Sequence, residues 1–257
     1  MATTLSSQKV FLLGGYDLEM VTIKQMLEER EDSIVIDKHL KWDNAKLSAY
    51  QQELPSYPDN AIYGIELQED MTPPAKYTRI DHHNDWDQKL SALEQVAEIV
   101  GVQLNRHQQL VAANDKGYIP AMQALGATNE EIDRIRRSDR AAQGITDEEE
   151  MQAEKSITGN LERCGTLTIV KSITSRFSPI CDRLFPYNQL LIYTDREWMY
   201  YGEGKSRLVQ HFYNEITQKK VFYGGGENGY IGCVKDAFSQ VEIEQFVKQI
   251  IRKYEHI

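Results

Sequence analysis

The segment Tyr77-Thr78-Arg79-Ile80-Asp81-His82-His83 decides the fold, because a strand-like stretch ends there in an aspartate and two adjacent histidines. Other strand-like stretches precede it, and stretches with apolar residues at helical spacing lie on either side. The predicted strands cover residues 9–13, 33–37, 61–67 and 77–81, and the predicted helices cover residues 18–29 and 91–100. Strands that alternate with helices are typical of parallel βαβ units. The sequence therefore predicts an α/β domain over residues 1–140, with a doubly wound, mostly parallel sheet.

The remainder of the chain predicts a helical linker over residues 141–163 and a smaller α+β domain over residues 164–257. The linker contains a capping-box match, with Thr146 at the start of a helix and Glu149 three residues later. The smaller domain combines strand-like stretches, a glycine run and a final amphipathic helix. The strand-like stretches lie at residues 167–170, 190–194 and 198–201, the glycine run at residues 224–226 and the helix at residues 240–254.

The formal net charge of −10 disfavours a protein that tracks along long nucleic acid, since that mode depends on many contacts between cations and phosphates. A small phosphorylated substrate held by metal ions and a few local cations is compatible with this charge. No run of 18 apolar residues occurs, and residues 1–9 lack an apolar signal core, so neither a membrane span nor a signal peptide is expected. The 3 cysteines, which have no CxxC spacing, suit a reducing cytoplasm. The oligomeric state stays open, with a homodimer among the options.

Acidic or imidazole side chains follow all the predicted strands of the first domain. In chain order they are Asp17 and Glu19, Asp37, Glu66, and Asp81-His82-His83. The carboxyl ends of parallel strands meet at one edge of a sheet, where ligands bind. Mn²⁺ and Mg²⁺ prefer carboxylate oxygens, and Mn²⁺ also accepts imidazole, so this edge is a candidate metal site. Taken singly, Asp17 and Glu19 could instead favour a helix N-terminus, and Asp37 and Glu66 could be ordinary loop residues.

The segment Arg79-Ile80-Asp81-His82-His83-Asn84 resembles the signature of the DHH phosphoesterase superfamily. That superfamily includes nanoRNases, RecJ-type exonucleases, cyclic-dinucleotide phosphodiesterases and manganese inorganic pyrophosphatases. The resemblance implies a phosphoric ester hydrolase in which two Mn²⁺ or Mg²⁺ ions activate water. Its substrate would be a nucleotide, a cyclic dinucleotide or a short oligonucleotide. The implied metal ligands are Asp17, Glu19, Glu66, His82 and Asp115.

The same resemblance assigns the phosphate contact to His83 and makes Asp81 the residue that orients the imidazoles. This chain departs from the family pattern in several places. Leu13 stands where a histidine ligand is usual, and glutamate replaces aspartate at positions 19 and 66. Asp37, on the preceding strand, is an alternative to Glu66, and Asp115 could instead form an Asx-type turn before Gly117.

The stretch from Tyr223 to Gly232 resembles the glycine-rich GGGH motif of the DHH-associated C-terminal domain. The resemblance implies that backbone N–H groups of this segment approach the substrate closely. The implied substrate-binding residues are Gly224, Gly225, Gly226 and Asn228, together with Arg176 among the cations of the second domain. Glu227 or Asn228 replaces the usual histidine. The alternatives are a flexible hairpin loop for the glycines and a solvated surface for the cations.

Two further interpretations stay open. The chain could be a degenerate DHH domain that binds a nucleotide or a metal without catalysis, because Leu13, Glu19 and Glu66 all depart from the usual ligands. It could also be an unrelated α/β protein in which the Asp-His-His tripeptide is accidental. The two motif matches occur in the family's order, which favours the phosphoesterase.

Overall fold

The computed structural model describes residues 8–83, 86–226 and 229–254, with side chains as far as residue 253. It consists of two compact units, Met1–Gly144 and Ile145–Ile257. The segment predicted as a linker, residues 141–163, spans this division. Its larger part forms a helix and most of a strand of the second unit. Among the described residues, no helix combines the length and the apolar character needed to cross a membrane.

The first unit contains a parallel four-stranded sheet. Its strands are β1 (Lys9–Leu13), β2 (Ser33–Ile36), β3 (Ile62–Ile65) and β4 (Tyr77–Ile80), and its helices are α1 (Leu18–Glu28), α2 (Ala92–Val100), α3 (Arg106–Ala124) and α4 (Asn129–Ala142). The strand order is β2-β1-β3-β4, and all three pairings are parallel. The chain runs from β1 to β2 on one side of β1 and then crosses to β3 on the other side. The β1–β3 boundary is therefore the topological switch point. This arrangement confirms the predicted fold class.

Both faces of the sheet are covered because side chains alternate along β1. Val10 and Leu12 pack on one face against Leu47, Tyr50 and Leu54. The latter three come from short 3₁₀ helices between β2 and β3, which cover Trp42–Asn44, Leu47–Tyr50 and Leu54–Ser56. The intervening β1 side chains point to the other face, and α1 contacts β2. β1 is therefore enclosed on both faces, and its side chains from Val10 to Leu13 are buried.

The second unit is α+β, as predicted, and is built on a six-stranded mixed sheet. Its elements are α5 (Asp147–Asn160), β5 (Leu161–Cys164), β6 (Leu167–Lys171), α6 (Ser178–Leu184), β7 (Gln189–Tyr193), β8 (Trp198–Gly202), α7 (Lys205–His211), α8 (Tyr213–Thr217), β9 (Val221–Gly224), β10 (Tyr230–Cys233) and α9 (Gln240–Tyr254). The strand order is β5-β6-β7-β8-β10-β9, and β6 and β7 pair in parallel. The buried ring of Trp198 lies 4.3 Å from that of Phe246, so α9 packs on this sheet.

The capping box predicted at the start of α5 is present. The Thr146 hydroxyl accepts a hydrogen bond from the Glu149 N–H at 3.2 Å, and the Glu149 carboxylate accepts one from the Thr146 N–H at 2.9 Å. We expect Thr146→Ala to lower the free energy of unfolding by about 1 kcal/mol, because a helical N–H loses its acceptor. Urea denaturation measures the change, and Thr146→Ser is the matched control that keeps the hydroxyl. Equal stability of the two variants would contradict the prediction.

Candidate metal centre

The ends of the central strands approach each other closely enough to gather side chains from distant parts of the chain. A Cβ on Gly14, which follows β1, would lie 2.6 Å from the carbonyl oxygens of both Ile65 and Glu66, so only glycine permits this approach. Glu66 adopts a φ of 52°, in the left-handed region, directly after β3. Asp17 caps α1, and its carboxylate accepts a hydrogen bond from the Met20 N–H at 2.9 Å. The switch point thus carries acidic residues from both β1 and β3.

His82 lies at the centre of a cluster of carboxylates. Its Nε2 atom is 2.6 Å from Asp115 Oδ2, 3.2 Å from Glu66 Oε1 and 3.7 Å from Glu19 Oε2. His83 Nδ1 lies 3.6 Å from the same Glu66 oxygen. One potential ligand atom from each of Glu66, His82, His83 and Asp115 lies within 4.8 Å of the others. The structure therefore brings together four of the five predicted ligands, Glu19, Glu66, His82 and Asp115, with His83 at their edge. Metal binding by these residues and by Asp17 stays a prediction.

At the centre of this cluster, three carboxylate oxygens lie 2.6–3.7 Å from an imidazole nitrogen, but none of these four atoms makes a hydrogen bond of normal geometry. They are Glu19 Oε2, Glu66 Oε1, His82 Nε2 and Asp115 Oδ2, and all four are buried. Buried polar atoms in proteins are nearly always paired, and several carboxylates without a cation repel one another. Divalent cations such as Mn²⁺ prefer this combination of carboxylate and imidazole ligands. The residues present therefore fit a divalent metal ion.

The electrostatics of the cluster follow from burial and from crowding of like charges. Burial, reinforced by the neighbouring Asp115 carboxylate, raises the pKa of Asp17 to about 8. Burial also raises the pKa of Glu19 and of Glu66. Burial alone would lower the pKa of His82, but the surrounding carboxylates have the larger effect and raise the pKa of His82 to about 12. The metal-free cluster therefore holds protons near neutral pH, and a bound cation would displace them.

Asp115 lies in α3, two residues before a break in that helix. Gly117 and Tyr118 have non-helical backbone angles, and the helix resumes beyond them. The neighbouring Asn114 accepts a hydrogen bond from the Arg136 guanidinium at 2.9 Å, and that guanidinium also lies 4.6 Å from the centre of the Tyr118 ring. The buried Arg136 side chain thus fixes the part of α3 that carries Asp115.

Sequence reasoning missed Arg136 and Asp139, which support the cluster from α4. Arg136 donates to Asp139 Oδ2 at 2.7 Å, and Asp139 Oδ1 accepts from the Leu18 N–H at 3.4 Å, next to Asp17. The sequence contains a signal for them. Both side chains lie close in helical spacing to the apolar residues Ile132 and Ile135, so two charges fall on the buried face of a helix.

Asp81 contacts His83 and Arg79. Its Oδ1 atom accepts a hydrogen bond from the His83 N–H at 2.8 Å and lies 3.4 Å from His83 Nδ1, and its Oδ2 atom lies 2.6 Å from Arg79 Nη2. Burial opposes ionisation of this carboxyl, but its hydrogen bonds to His83 and Arg79 hold its pKa well below the usual range. The ionised Asp81 carboxylate in turn raises the pKa of His83.

Two other positions at this edge do not supply ligands. Leu13 is 2% exposed at the end of β1, so an apolar side chain occupies the place where the family pattern has a histidine. Asp37 lies 2.9 Å from Lys24 Nζ and accepts a hydrogen bond from the His39 N–H at 2.7 Å. Its carboxylate is thus satisfied by local contacts after β2.

In the second unit, the predicted glycine motif connects β9 to β10. Gly225 and Gly226 have φ values of 70° and 65°, in the region that favours glycine. The buried Lys205 ammonium donates hydrogen bonds to the carbonyl oxygens of Gly224 and Gly226, which ties this loop to the start of α7. Arg176 is exposed, and its Nε lies 3.3 Å from Glu149 Oε1. Asn228 lies outside the described residues. A substrate contact by these residues stays a prediction.

No family model matches the sequence, and no curated protein matches it. Several solved structures, in contrast, are similar to this chain. The pGpG-specific phosphodiesterase PggH from Vibrio cholerae is similar over 98% of this chain and 99% of its own, with 14% identity and a TM-score of 0.49. A DHH domain structure of a member of the s1p family of ribosomal proteins is similar over 95% of this chain and 87% of its own, with 10% identity and a TM-score of 0.47. RecJ in complex with Mn²⁺, from Thermus thermophilus, is similar over 98% of this chain and 52% of its own, with 10% identity and a TM-score of 0.43.

Proposed function

We propose that this protein is a metal-dependent phosphoesterase of the DHH type. Its substrate would be a small phosphorylated molecule such as a nucleotide, a cyclic dinucleotide or a short oligonucleotide. The observation that carries the proposal is a group of four buried atoms, on Glu19, Glu66, His82 and Asp115, that crowd together without hydrogen bonds of normal geometry at the carboxyl edge of a parallel sheet. A side-chain set of this composition, at a topological switch point, has the chemistry of a divalent metal centre that binds phosphate.

The residues proposed to hold two Mn²⁺ or Mg²⁺ ions are Asp17, Glu19, Glu66, His82 and Asp115. Such ions neutralise charge on a phosphoryl group and make water a better nucleophile at neutral pH. The protein's part is to fix the ligands before the substrate arrives. The Leu93 N–H holds Glu19 Oε1 at 2.9 Å, which leaves Glu19 Oε2 directed at the cluster.

His83 is proposed to bind the phosphoryl oxygens. Its side chain is 48% exposed, whereas the neighbouring His82 side chain is 4% exposed, so His83 is the histidine that a substrate can reach. Asp81 raises the pKa of His83 and so favours the charged imidazolium, which donates hydrogen bonds to developing negative charge. Asp81 acts through His83, because it fixes both the backbone and the charge of that residue.

We expect Asp81→Asn to lower kcat/KM for Mn²⁺-supported hydrolysis by about 10- to 100-fold, the usual cost of losing a partner that orients a site histidine. The amide keeps the shape of the carboxylate but removes the charge that raises the pKa of His83. Steady-state kinetics measures the effect, and the alkaline limb of the pH profile should shift to lower pH, because the required imidazolium of His83 loses its proton earlier. Asp87→Asn, at an exposed position nearby, is the matched control. Wild-type kinetics in Asp81→Asn would show that Asp81 has no such role.

A second candidate is a protein that binds a metal or a nucleotide without hydrolysing it. The buried Leu13 favours it, because the β1 end contributes no histidine ligand. Metal titration by calorimetry separates the two candidates. Two tight Mn²⁺ sites support the enzyme, whereas one site or none supports the binding protein.

The direct test is a screen for hydrolysis in the presence and absence of Mn²⁺. The substrates should be pyrophosphate, nucleotides, cyclic dinucleotides and di- to pentanucleotides. We expect at least one of them to be hydrolysed with Mn²⁺ and not with a chelator. Absence of hydrolysis across the whole set, with Mn²⁺ bound, would overturn the proposed activity.

A further inference from the structure

A cleft of about 550 Å³ opens beside the metal cluster in the first unit. Glu66 and His83 belong to its walls, so a molecule in the cleft would reach the cluster directly. The remaining wall includes Trp42, Gln68 and Arg79. None of these three residues has a role in holding the proposed metal ions, which raises the question of what the cleft accommodates.

The Trp42 indole is a fixed aromatic surface in this wall. A Cβ on Gly15 would lie 2.3–2.5 Å from three carbons of the indole, so the ring packs directly on the glycine backbone. Gly15 has a φ of 70°, which also favours glycine there. Trp42 nevertheless remains 49% exposed, and its ring centre lies 6.3 Å from that of His83. A large aromatic ring is therefore held in place at the cleft with half of its surface free.

The segment that carries Trp42 is tied to the end of β3. The Gln68 N–H donates to the Ala45 carbonyl, and the Leu47 N–H donates to the Gln68 carbonyl, both at 2.9 Å. These bonds fix the position of the Trp42–Asn44 turn relative to Glu66, two residues before Gln68. The distance from the aromatic surface to the cluster is thus set by backbone hydrogen bonds.

Polar groups border the aromatic surface. The Gln68 side chain is exposed and offers both donors and an acceptor. The Arg79 guanidinium is held by Asp81 and lies 3.9 Å from the centre of the Trp86 ring, so it forms a fixed polar edge. A flat surface with hydrogen-bonding groups at its border suits a planar molecule with a polar rim, which is the chemistry of a nucleobase.

We propose that the Trp42 cleft is the subsite for a nucleobase of the substrate, which stacks on the indole while its phosphate lies at the cluster. This inference rests on the proposed function and names a substrate feature that the metal centre alone does not select. Stacking of one base on an aromatic side chain corresponds to a change in affinity of roughly ten- to a hundredfold.

The test is calorimetric titration of AMP, GMP and ribose 5-phosphate into the full-length protein with Mn²⁺ present. We expect Trp42→Ala to weaken AMP and GMP binding by about ten- to a hundredfold and to leave ribose 5-phosphate binding within about twofold. Trp42→Phe keeps an aromatic face and should lose less than about fivefold for AMP and GMP. Tyr213→Ala, at an aromatic residue that is 70% exposed and outside the cleft, should match the wild type.

An unchanged circular dichroism spectrum of Trp42→Ala shows that the fold is retained, as expected for a half-exposed side chain. The base subsite would be overturned if Trp42→Ala weakened binding of AMP, GMP and ribose 5-phosphate equally, or if it weakened binding of none of them. AMP and GMP binding to the wild type that is no tighter than ribose 5-phosphate binding would also overturn it. In another outcome, Trp42→Ala loses affinity for AMP and GMP alone while the wild type hydrolyses no substrate in the screen. That result would support the subsite and reject the proposed activity.

Discussion

His82→Ala is expected to lower Mn²⁺-supported hydrolysis by at least about a thousandfold. His82 Nε2 is within 3.7 Å of carboxylate oxygens from Asp115, Glu66 and Glu19, so its removal takes a ligand from the centre of the cluster. A metal ion at phosphoryl oxygens supplies several kcal/mol of transition-state stabilisation, and each ~1.4 kcal/mol corresponds to tenfold in rate. Steady-state kinetics on the best substrate from the screen measures the loss.

His107→Ala is the matched control, because His107 lies exposed on the same helix as Asp115. It should keep wild-type kinetics and wild-type Mn²⁺ affinity. The His82 variant should retain its circular dichroism spectrum and lose at least part of its Mn²⁺ binding in the same titration. Retention of more than about a tenth of the activity by a folded His82→Ala protein would remove His82 from the metal centre, since a lost ligand costs more than that.

The strands of the first unit could be predicted because each is a short apolar stretch followed by a change of composition. β1 and β4 begin and end within a residue of the predicted bounds. Helix α3 could not be predicted in the same way. Gly117 and Pro120 lie inside it, and both residues normally argue against a helix interior. The structure keeps that local preference: the backbone leaves helical geometry at Gly117 and Tyr118, and Pro120 lies just after this break, near the start of the second helical segment.

The position of the candidate site could be predicted from a general property of parallel sheets, since the strand ends must meet at one edge. The resemblance to the DHH signature assigns His82 to the metal and His83 to the phosphate, but the residues alone offer no physical reason for this division. Only the folded chain shows that His82 is enclosed by carboxylates whereas His83 contacts Asp81 and is half exposed. Trp42 was missed for a related reason. It lies in a 3₁₀ turn without periodicity, and its importance comes from contact with Gly15, 27 positions earlier in the sequence.

The metal-free protein is expected to lose stability as the pH rises from about 4 to about 8. The pKa of Asp17 is 3.8 for a free side chain and about 8 in the folded protein, so the folded state binds a proton that the unfolded state releases. A raised pKa gives a stabilising contribution that is complete below the unfolded value and is lost as the pH reaches the folded value. For Asp17 alone the loss is on the order of 5 kcal/mol. His82, whose pKa is raised to about 12, extends the decline above pH 6.5.

Asp17→Asn isolates this contribution, because asparagine caps a helix as well as aspartate and cannot ionise. With a chelator, urea denaturation should show the variant equal to the wild type near pH 4 and several kcal/mol more stable at pH 8, in proportion to the pKa shift of Asp17. Saturating Mn²⁺ should remove most of this difference at pH 8. A ligand present at a thousand times its Kd adds about 4 kcal/mol to the protein that binds it, and Asp17→Asn has lost one proposed ligand. Parallel pH profiles for the two metal-free proteins would mean that Asp17 ionises freely in the folded state. A carboxylate that destabilises the metal-free site and strengthens Mn²⁺ binding behaves as a metal ligand and not as an ordinary helix cap. This Mn²⁺-dependent change therefore tests the role of Asp17 without reference to any substrate.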